Sequence, residues 1–399
     1  MIRYFYNKLL CSKFSLIPFV CFFTVLTYGE VLPTSIKSSL AYALWIIVFF
    51  ECVLTCKLRL SKQAVTFIGL GAFFFFLVLI LTVLGSGNTY FNSSICLTVG
   101  ITIMIFFCGT ALGNKLNEND VEVILRWFVL GTIVMGTVYF FLNLSTGFNL
   151  SSRVYNNVSF NKNSASQLIS SSICILIIGD NRKDIPKYRV LNIGIIIYLT
   201  LILLLMRSRS CILCFSFSVI IILLSKYTNK TVKKWIICLS FVAVLVLVFS
   251  EGIRKILIEQ LLFANRDASS LDDLTSGRIT IYSGFGNLIK GHEFVGNGAL
   301  YFECFYLSAI VQFGIPVGLF LWGYVAYAIY SVKKIYSYFC YGWLMMILVL
   351  SYSLNGLFEG LPPFGPGTKN FLLWLVFGIA SSQLFYIDKR SINMDQNQS

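Results

Sequence analysis

The chain has 399 residues, 57% of them hydrophobic and only 12% charged. Soluble domains carry about a quarter charged residues, so this composition cannot clothe a soluble surface and points to a polytopic membrane protein. The formal charge of +14 is read as membrane topology and contact with anionic lipid, with no nucleic-acid partner.

A membrane-crossing helix needs about 20 mostly apolar residues. In chain order the sequence predicts such helices at 14–33, 38–56, 64–85, 93–113, 121–144 and 163–179, then at 188–206, 209–225, 233–250, 304–331, 337–356 and 370–387. Residues 1–33 begin basic, but the apolar run is too long for a signal peptide and no small-x-small cleavage site follows, so they read as the first anchor. Runs such as "IIIYLTLILLLM" do not alternate as β-barrel strands would. Helices, which satisfy their own backbone groups, are therefore expected. The tightest connection falls at Arg207, where two spans share an outer turn of a few residues.

Basic residues set the orientation. With the N-terminus inside, the inner segments hold Arg3, Lys8 and Lys13, then Lys57, Arg59, Lys62 and Lys115, then Arg182, Lys183, Lys187 and Arg189. They continue with Lys226, Lys230, Lys233, Lys234, Lys333, Lys334, Lys389 and Arg390. Both termini are thus expected in the cytoplasm. The expected fold is all-α: helices 1–9 in residues 1–250, a large outer loop at 251–303, helices 10–12 in residues 304–387 and a disordered cytoplasmic tail at 388–399. No period of 20–50 residues repeats, which excludes a solenoid.

The outer loop opens with "EGIRKILIEQLLFA", apolar at helical spacing through Ile253, Ile256, Leu257, Leu261 and Leu262. It ends with "SGRITIYSGFGNLIKGHEFVGNG", residues 276–298, which holds six glycines and the only histidine, His292. A helix capped by Ser276 is expected through "RITIYSGFGNLI", with the glycines beyond it forming a flexible working loop. Gly284 and Gly286 lack the third glycine of a dinucleotide-binding turn, and no Walker motif occurs. Adjacent Asp272 and Asp273 raise a metal reading, against which stands an ordinary solvated loop. The twelve cysteines lie within or beside apolar spans, and Cys211-x-x-Cys214 has no second pair or nearby histidine, short of the four ligands of a zinc site. They read as small apolar side chains.

The remaining signal is a set of arginines on the outer side: Arg153, Arg207, Arg209, Arg266 and Arg278. An arginine held near membrane depth usually faces a cavity or partner, and its planar fork suits phosphate. Snorkelling to lipid headgroups is the rival reading. Together they suggest an outward-facing site for an anion such as a lipid pyrophosphate.

The ordered series "RVYNNVSFNKNSASQL", "MRSRSCILCFSF", "SGRITIY", "GNG" and "YLSAIVQFGIPVGLFLW", covering roughly residues 150–325, resembles the superfamily of O-antigen polymerases (Wzy-type) and O-antigen ligases. The resemblance implies a bacterial inner-membrane protein with about a dozen helices and a large periplasmic loop between helices 9 and 10. It implies glycosyl transfer from an undecaprenyl-pyrophosphate-linked oligosaccharide without cofactor or metal, and a chain-length regulator as a candidate partner. Arg153 and Asn163 are similar to the family's arginine-to-asparagine segment, Arg209 to the arginine opening the next hairpin, and Ser276-Gly277-Arg278 to its loop motif. Gly296-Asn297-Gly298 is similar to its glycine pair, and Arg266 with Gly277 fits a polymerase spacing of an arginine and a glycine with ten residues between them. Lys162 stands where proline is usual. The ligase branch has a histidine after the glycine pair, where this chain reads "ALYFECFYL" with Glu303, and this favours the polymerase over the ligase or a lipid-linked-oligosaccharide flippase. On this resemblance Arg153, Arg209 and Arg278 hold the donor and acceptor pyrophosphates, and Asn163, Arg207 and Arg266 are further substrate-binding candidates. Glu303, Glu293 or His292 is the base, and Tyr282, with Tyr301 and Tyr306, stacks on sugar.

Overall fold

In the computed structural model of the chain, the described residues are 16–29, 32, 34–56, 59–85, 88–145, 162–179, 186–225, 228, 230–255, 272, 275, 277–337, 339 and 341–396. Among them the regular structure is helical, with no strand. A helix lies on each apolar stretch. These are α1 (Leu16–Leu26), α2 (Thr34–Thr55), α3 (Lys62–Leu84), α4 (Ser94–Gly113), α5 (Glu118–Ser145) and α6 (Lys162–Gly179). They continue with α7 (Pro186–Leu205), α8 (Arg209–Leu224) and α9 (Lys230–Phe249). Short helices α10 (Glu251–Arg254), α11 (Arg278–Ser283) and α12 (Phe285–Ile289) precede α13 (Phe305–Ile335), α14 (Gly342–Asn355) and α15 (Phe371–Gln396). Four are long and apolar enough to cross a membrane: Lys62–Leu84, Ser94–Gly113, Glu118–Leu144 and Phe305–Ile335. That is the pattern of a multi-pass membrane protein.

Polar side chains set several helix starts. Ser61 Oγ accepts from the Ala64 amide at 3.3 Å, and Ser93 Oγ from the Ile95 amide at 3.2 Å. At α5, Asn117 and Asp120 cap reciprocally, each side chain accepting from the other's amide at 3.0 Å. Such bonds satisfy amides that the first helical turn leaves open.

The chain divides into two compact units, residues 1–24, 38–127 and 283–399 in the first and 25–37 and 128–282 in the second. In the first, α4 and α15 touch backbone to backbone. A Cβ at Gly109 would sit 2.3 Å from the Leu375 carbonyl oxygen, and one at Gly378 would sit 2.3 Å from that of Phe106. Small residues permit this approach where lipid supplies no hydrophobic drive between helices. Phe67 packs on Phe106, Tyr324 and Trp374 with ring centroids 4.4, 4.9 and 5.3 Å away.

The link between α14 and α15 is only partly a surface connection: Leu357 is exposed, but residues 362–365 and 368–370 are buried. Gly356–Asn370 folds inward, and Phe364 stacks on Trp374 at 5.6 Å and 6°. Thr102 of α4 donates to the Phe364 carbonyl at 3.2 Å. Asn370 Nδ2 donates to the Pro363 and Gly365 carbonyls, and Trp374 Nε1 to Pro363 at 3.1 Å. Non-helical backbone is tolerated inside a membrane protein when the protein itself buries and bonds it. Beyond it, α15 continues to Gln396, so the segment expected as a disordered tail is helical through that residue.

In the second unit, α6 is buried all round. "KNSASQLISSSICILIIG" would read as half-polar, yet Ser164, Ser166, Gln167, Ser170, Ser171 and Ser172 are all buried. Hydroxyl bonds accommodate them: Thr132 Oγ1 with Ser172 Oγ at 2.7 Å, and Ser171 Oγ to the Gln167 carbonyl at 2.8 Å. Thr137 Oγ1 and Tyr198 Oη pair at 2.8 Å between α5 and α7.

Candidate functional site

In the second unit, α7 ends at Leu205 and α8 begins at Arg209. The chain reverses through Arg207, which has φ +53° and is the one non-glycine residue with positive φ among those described. A bulky residue in that region is strained and must be held by its surroundings. Arg207 is only 5% exposed. Ser208 precedes α8 but does not cap it; its Oγ donates instead to Asn163 Oδ1 at 2.8 Å. Cys211 Sγ donates to the Asn163 carbonyl at 3.1 Å. The starts of α6 and α8 are thereby joined, and Asn163, Arg207 and Arg209 share one place. Helix N-termini carry positive partial charge, so the two joined here can attract an anion.

Further along this unit, Arg278 opens α11 and Tyr282 lies one turn on, both half-buried. Residues four apart share a helix face. Asp272 caps this helix: its carboxylate accepts from the Thr280 amide at 3.0 Å and from Thr280 Oγ1 at 2.7 Å. These bonds hold the carboxyl below its usual range. Arg278 Nη1 donates to the Thr275 carbonyl at 3.4 Å. The expected single helix divides at Gly284, and Ser276, expected as its cap, lies outside the described residues. The Asp272 carboxylate is thus built into a turn, which weighs against the metal reading. Asp273 is not among the described residues, and these include no group of three or more His, Cys, Asp or Glu able to hold a metal ion.

His292, Glu293 and Glu303 belong to the first unit. The segment around them was expected to be flexible, and its geometry says otherwise. Helix α13 is interrupted at Gly314, with φ 78° and ψ 168°. The glycine-rich return plugs that break. The Asn297 amide donates to the Val311 carbonyl at 2.7 Å, the Gly298 amide to Gln312 at 3.0 Å, and the Ile315 amide to Glu293 at 2.7 Å. A Cβ at Gly296 would lie 2.4 Å from the Gly314 nitrogen, and one at Gly314 would lie 2.4 Å from the Phe294 carbonyl oxygen. Gly296-Asn297-Gly298 is therefore a docked structural segment. Beneath it Gln312, fully buried, accepts from Ser93 Oγ and donates to Ser308 Oγ at 3.0 Å.

On this segment His292 is exposed. The Glu293 carboxylate accepts from the Gly291 amide at 3.0 Å. That bond, its own amide and nearby His292 hold its carboxyl below the usual range, so it is ionised at neutral pH but a weak base. Glu303 is half-buried just ahead of α13, where a carboxylate gains from the helix dipole. Its neighbour Phe302 is buried, and the Phe305 amide donates to the Gly356 and Glu359 carbonyls at 2.8 and 2.9 Å. The start of the inward-folded segment and the start of α13 are thereby one structure.

Arg153 and Arg266 lie outside the described residues. Sequence reasoning overlooked Lys369, which is 1% exposed between Thr368 and Asn370 at the end of that segment. Its context, "LPPFGPGTKN", reads as a surface turn because Pro and Gly are the usual marks of one.

No protein-family model matches the sequence, and no curated protein is similar to it.

Proposed function

We propose that the protein is an O-antigen or related polysaccharide polymerase, joining undecaprenyl-pyrophosphate-linked repeat units at the periplasmic face of a bacterial inner membrane. In this reading twelve helices cross the bilayer, both termini are cytoplasmic, and residues 251–303 form the periplasmic loop. Anionic lipid surrounds the protein, and a chain-length regulator is its candidate protein partner.

The observation that carries the reading is the junction of Asn163 with the Arg207–Arg209 turn, where Ser208 Oγ bonds Asn163 Oδ1 at 2.8 Å. It supports a site for a polyanionic leaving group, since it joins the starts of α6 and α8 at the turn that carries Arg207 and Arg209. The chemistry is displacement at an anomeric carbon. A sugar hydroxyl of the acceptor attacks, and the C–O bond to the donor pyrophosphate breaks. Fixed positive charge from Arg207, Arg209, Arg278 and the two residues outside the described set, Arg153 and Arg266, would stabilise the departing pyrophosphate. A base takes the proton of the attacking hydroxyl. Of the three candidates Glu303 has the best support, because the Glu293 carboxylate is committed to a turn and His292 stands in the open. Tyr282, on the face of Arg278, would stack on sugar.

The test is deletion of the gene in its native host. A surface glycolipid capped with a single repeat unit and lacking a polymer ladder is expected. Loss of every capped core would instead indicate a ligase or flippase, and an unchanged ladder would end the proposal.

A further inference from the structure

We propose that residues 299–313 re-enter the membrane instead of crossing it, and that Ala299, Leu300 and Tyr301 line a water-filled path leading down to Glu303. The ligand rests on the polymerase reading: the path admits the hydroxyl-bearing sugar end of the acceptor glycan to its base. The re-entrant geometry itself stands on the first unit alone.

Helix α13 is a hairpin. On a straight helix, residues eight apart are separated by about 12 Å, yet a Cβ at Gly318 would lie 2.8 Å from the Ile310 Cα. Trp322 Nε1 donates to the Tyr306 carbonyl at 2.9 Å, and the two rings lie 5.8 Å apart. The chain therefore reverses at Gly314, and Phe305–Phe313 runs antiparallel to 315–335. The second arm is about 32 Å long and can cross a membrane; the first is about 14 Å long and cannot.

The two ends of the short arm lie at different depths. At Gly314 the hairpin is level with the turn joining α3 to α4. There Gln312 accepts from Ser93 Oγ, Phe313 stacks on Tyr90 at 6.5 Å, and a Cβ at Gly298 would meet Asn88 Cβ at 3.5 Å. Both α3 and α4 are long and apolar enough to cross, so this turn marks a membrane face, the outer one on the proposed topology. At the other end Phe305 packs on Phe364 at 5.5 Å. Phe364 in turn packs on Tyr324 at 5.4 Å, and its carbonyl accepts from Thr102 at 3.2 Å. Thr102 lies about 12 Å along α4 from Ser94, and Tyr324 about 14 Å along the second arm from Ile315. Both counts put the start of α13 near the middle of roughly 30 Å of hydrocarbon.

Residues 299–304 therefore descend into the membrane without helical structure. Such backbone is tolerated at depth where protein buries it or where it lines water. Here protein does not bury it. Ala299 is exposed, as are Leu300 at 41% and Tyr301 at 53%. The amides and carbonyls of Ala299 and Leu300 make no hydrogen bond among the described residues. Tyr301 reaches the floor: a Cβ at Gly360 would lie 2.6 Å from its ring, and next to Gly360 the Glu359 carbonyl accepts from the Phe305 amide. Unpaired peptide groups do not face hydrocarbon, so water reaches them. Glu303 follows, half-buried, and an ionisable side chain at membrane depth marks a substrate path. A glycan keeps its hydroxyls hydrated along such a wall, whereas a prenyl chain stays in lipid.

The experiment is hydroxyl-radical footprinting of the full-length wild-type protein in phosphatidylcholine nanodiscs, read at each residue by mass spectrometry. The radicals attack side chains that touch water. The comparison for Tyr301 is Phe76, which is 54% exposed and lies about 12 Å along α3 from Leu84, at the same depth on a lipid-facing surface. Tyr301 should be oxidised about tenfold faster than Phe76, at a rate near that of Phe294, which is 78% exposed beside the Gly314 turn. Oxidation of Tyr301 as slow as that of Phe76 overturns the inference. Leu300→Trp, which narrows the path at an exposed position, tests the ligand. At matched protein levels it should reduce the polymer ladder about tenfold, and Ala299→Trp takes its place if that variant fails to accumulate. An unchanged ladder in the variant overturns the glycan role. If deletion of the gene leaves the ladder unchanged while Tyr301 oxidises fast, the polymerase reading falls and the water path stands.

Discussion

Arginine and lysine carry the same charge but not the same geometry, and Arg278 is where that difference is most easily read. It opens α11 beside Tyr282, with one nitrogen directed to the Thr275 carbonyl at 3.4 Å. A lysine could replace that bond. It could not replace a fork that grips two phosphate oxygens. If Arg278 binds pyrophosphate, Arg278→Lys should lower polymerisation almost as far as Arg278→Ala. A charge-assisted hydrogen bond is worth about 1.5–3 kcal/mol, or roughly one to two decades in rate. Lys290→Ala, at an exposed position in the neighbouring helix turn, should leave chain length unchanged. Full activity of Arg278→Lys at matched protein levels would reduce Arg278 to a cap of its own turn.

Between residue and whole lies the interrupted helix α13. An unbroken helix would leave Phe294 and Gly296 nowhere to dock. The break exposes the Val311 and Gln312 carbonyls, and the incoming loop supplies the amides that satisfy them. Pro316, placed two residues after the break, lacks the amide that a restarted helix would leave open anyway. Gly314 occupies a backbone region that is essentially closed to side chains. Gly314→Ala should therefore destabilise the protein by more than about 2 kcal/mol, from backbone strain together with the clash on Phe294. Gly286→Ala has open space and ordinary helical backbone, and should be neutral or slightly stabilising. Thermal unfolding in detergent measures both. Equal midpoints would mean that the break relaxes without the docked loop.

At the scale of the molecule, orientation decides whether the proposed site faces its substrate. On the proposed topology Asn92, Ser159 and Asp272 lie outside, and Lys62 and Lys230 inside. Reporter fusions at the first three positions should register the periplasm, and those at the last two the cytoplasm. A cytoplasmic signal at Asp272 would put α11 on the wrong side of the membrane for a lipid-linked donor.

The sequence by itself determined the helices. Apolar runs mark where each helix lies, because a backbone in lipid has to satisfy its own hydrogen bonds, and four of the described helices are long and apolar enough to cross a membrane. The turn at Arg207 was legible for the same reason, as the only break between "LTLILLLM" and "CILCFSFSVI". What lay beyond reach were contacts made by residues far apart in the chain. Gly314 is an unremarkable letter until its backbone meets that of Gly296, and the resemblance that singled out Asn163 gave no sign that Ser208 bonds it across 45 positions. The inward fold of Gly356–Asn370 was the least legible, because its prolines and glycines signal a turn whether that turn faces water or a bundle core. Only tertiary structure decided that it is buried, since burial depends on the Thr102, Tyr324 and Trp374 that surround it and not on its own composition.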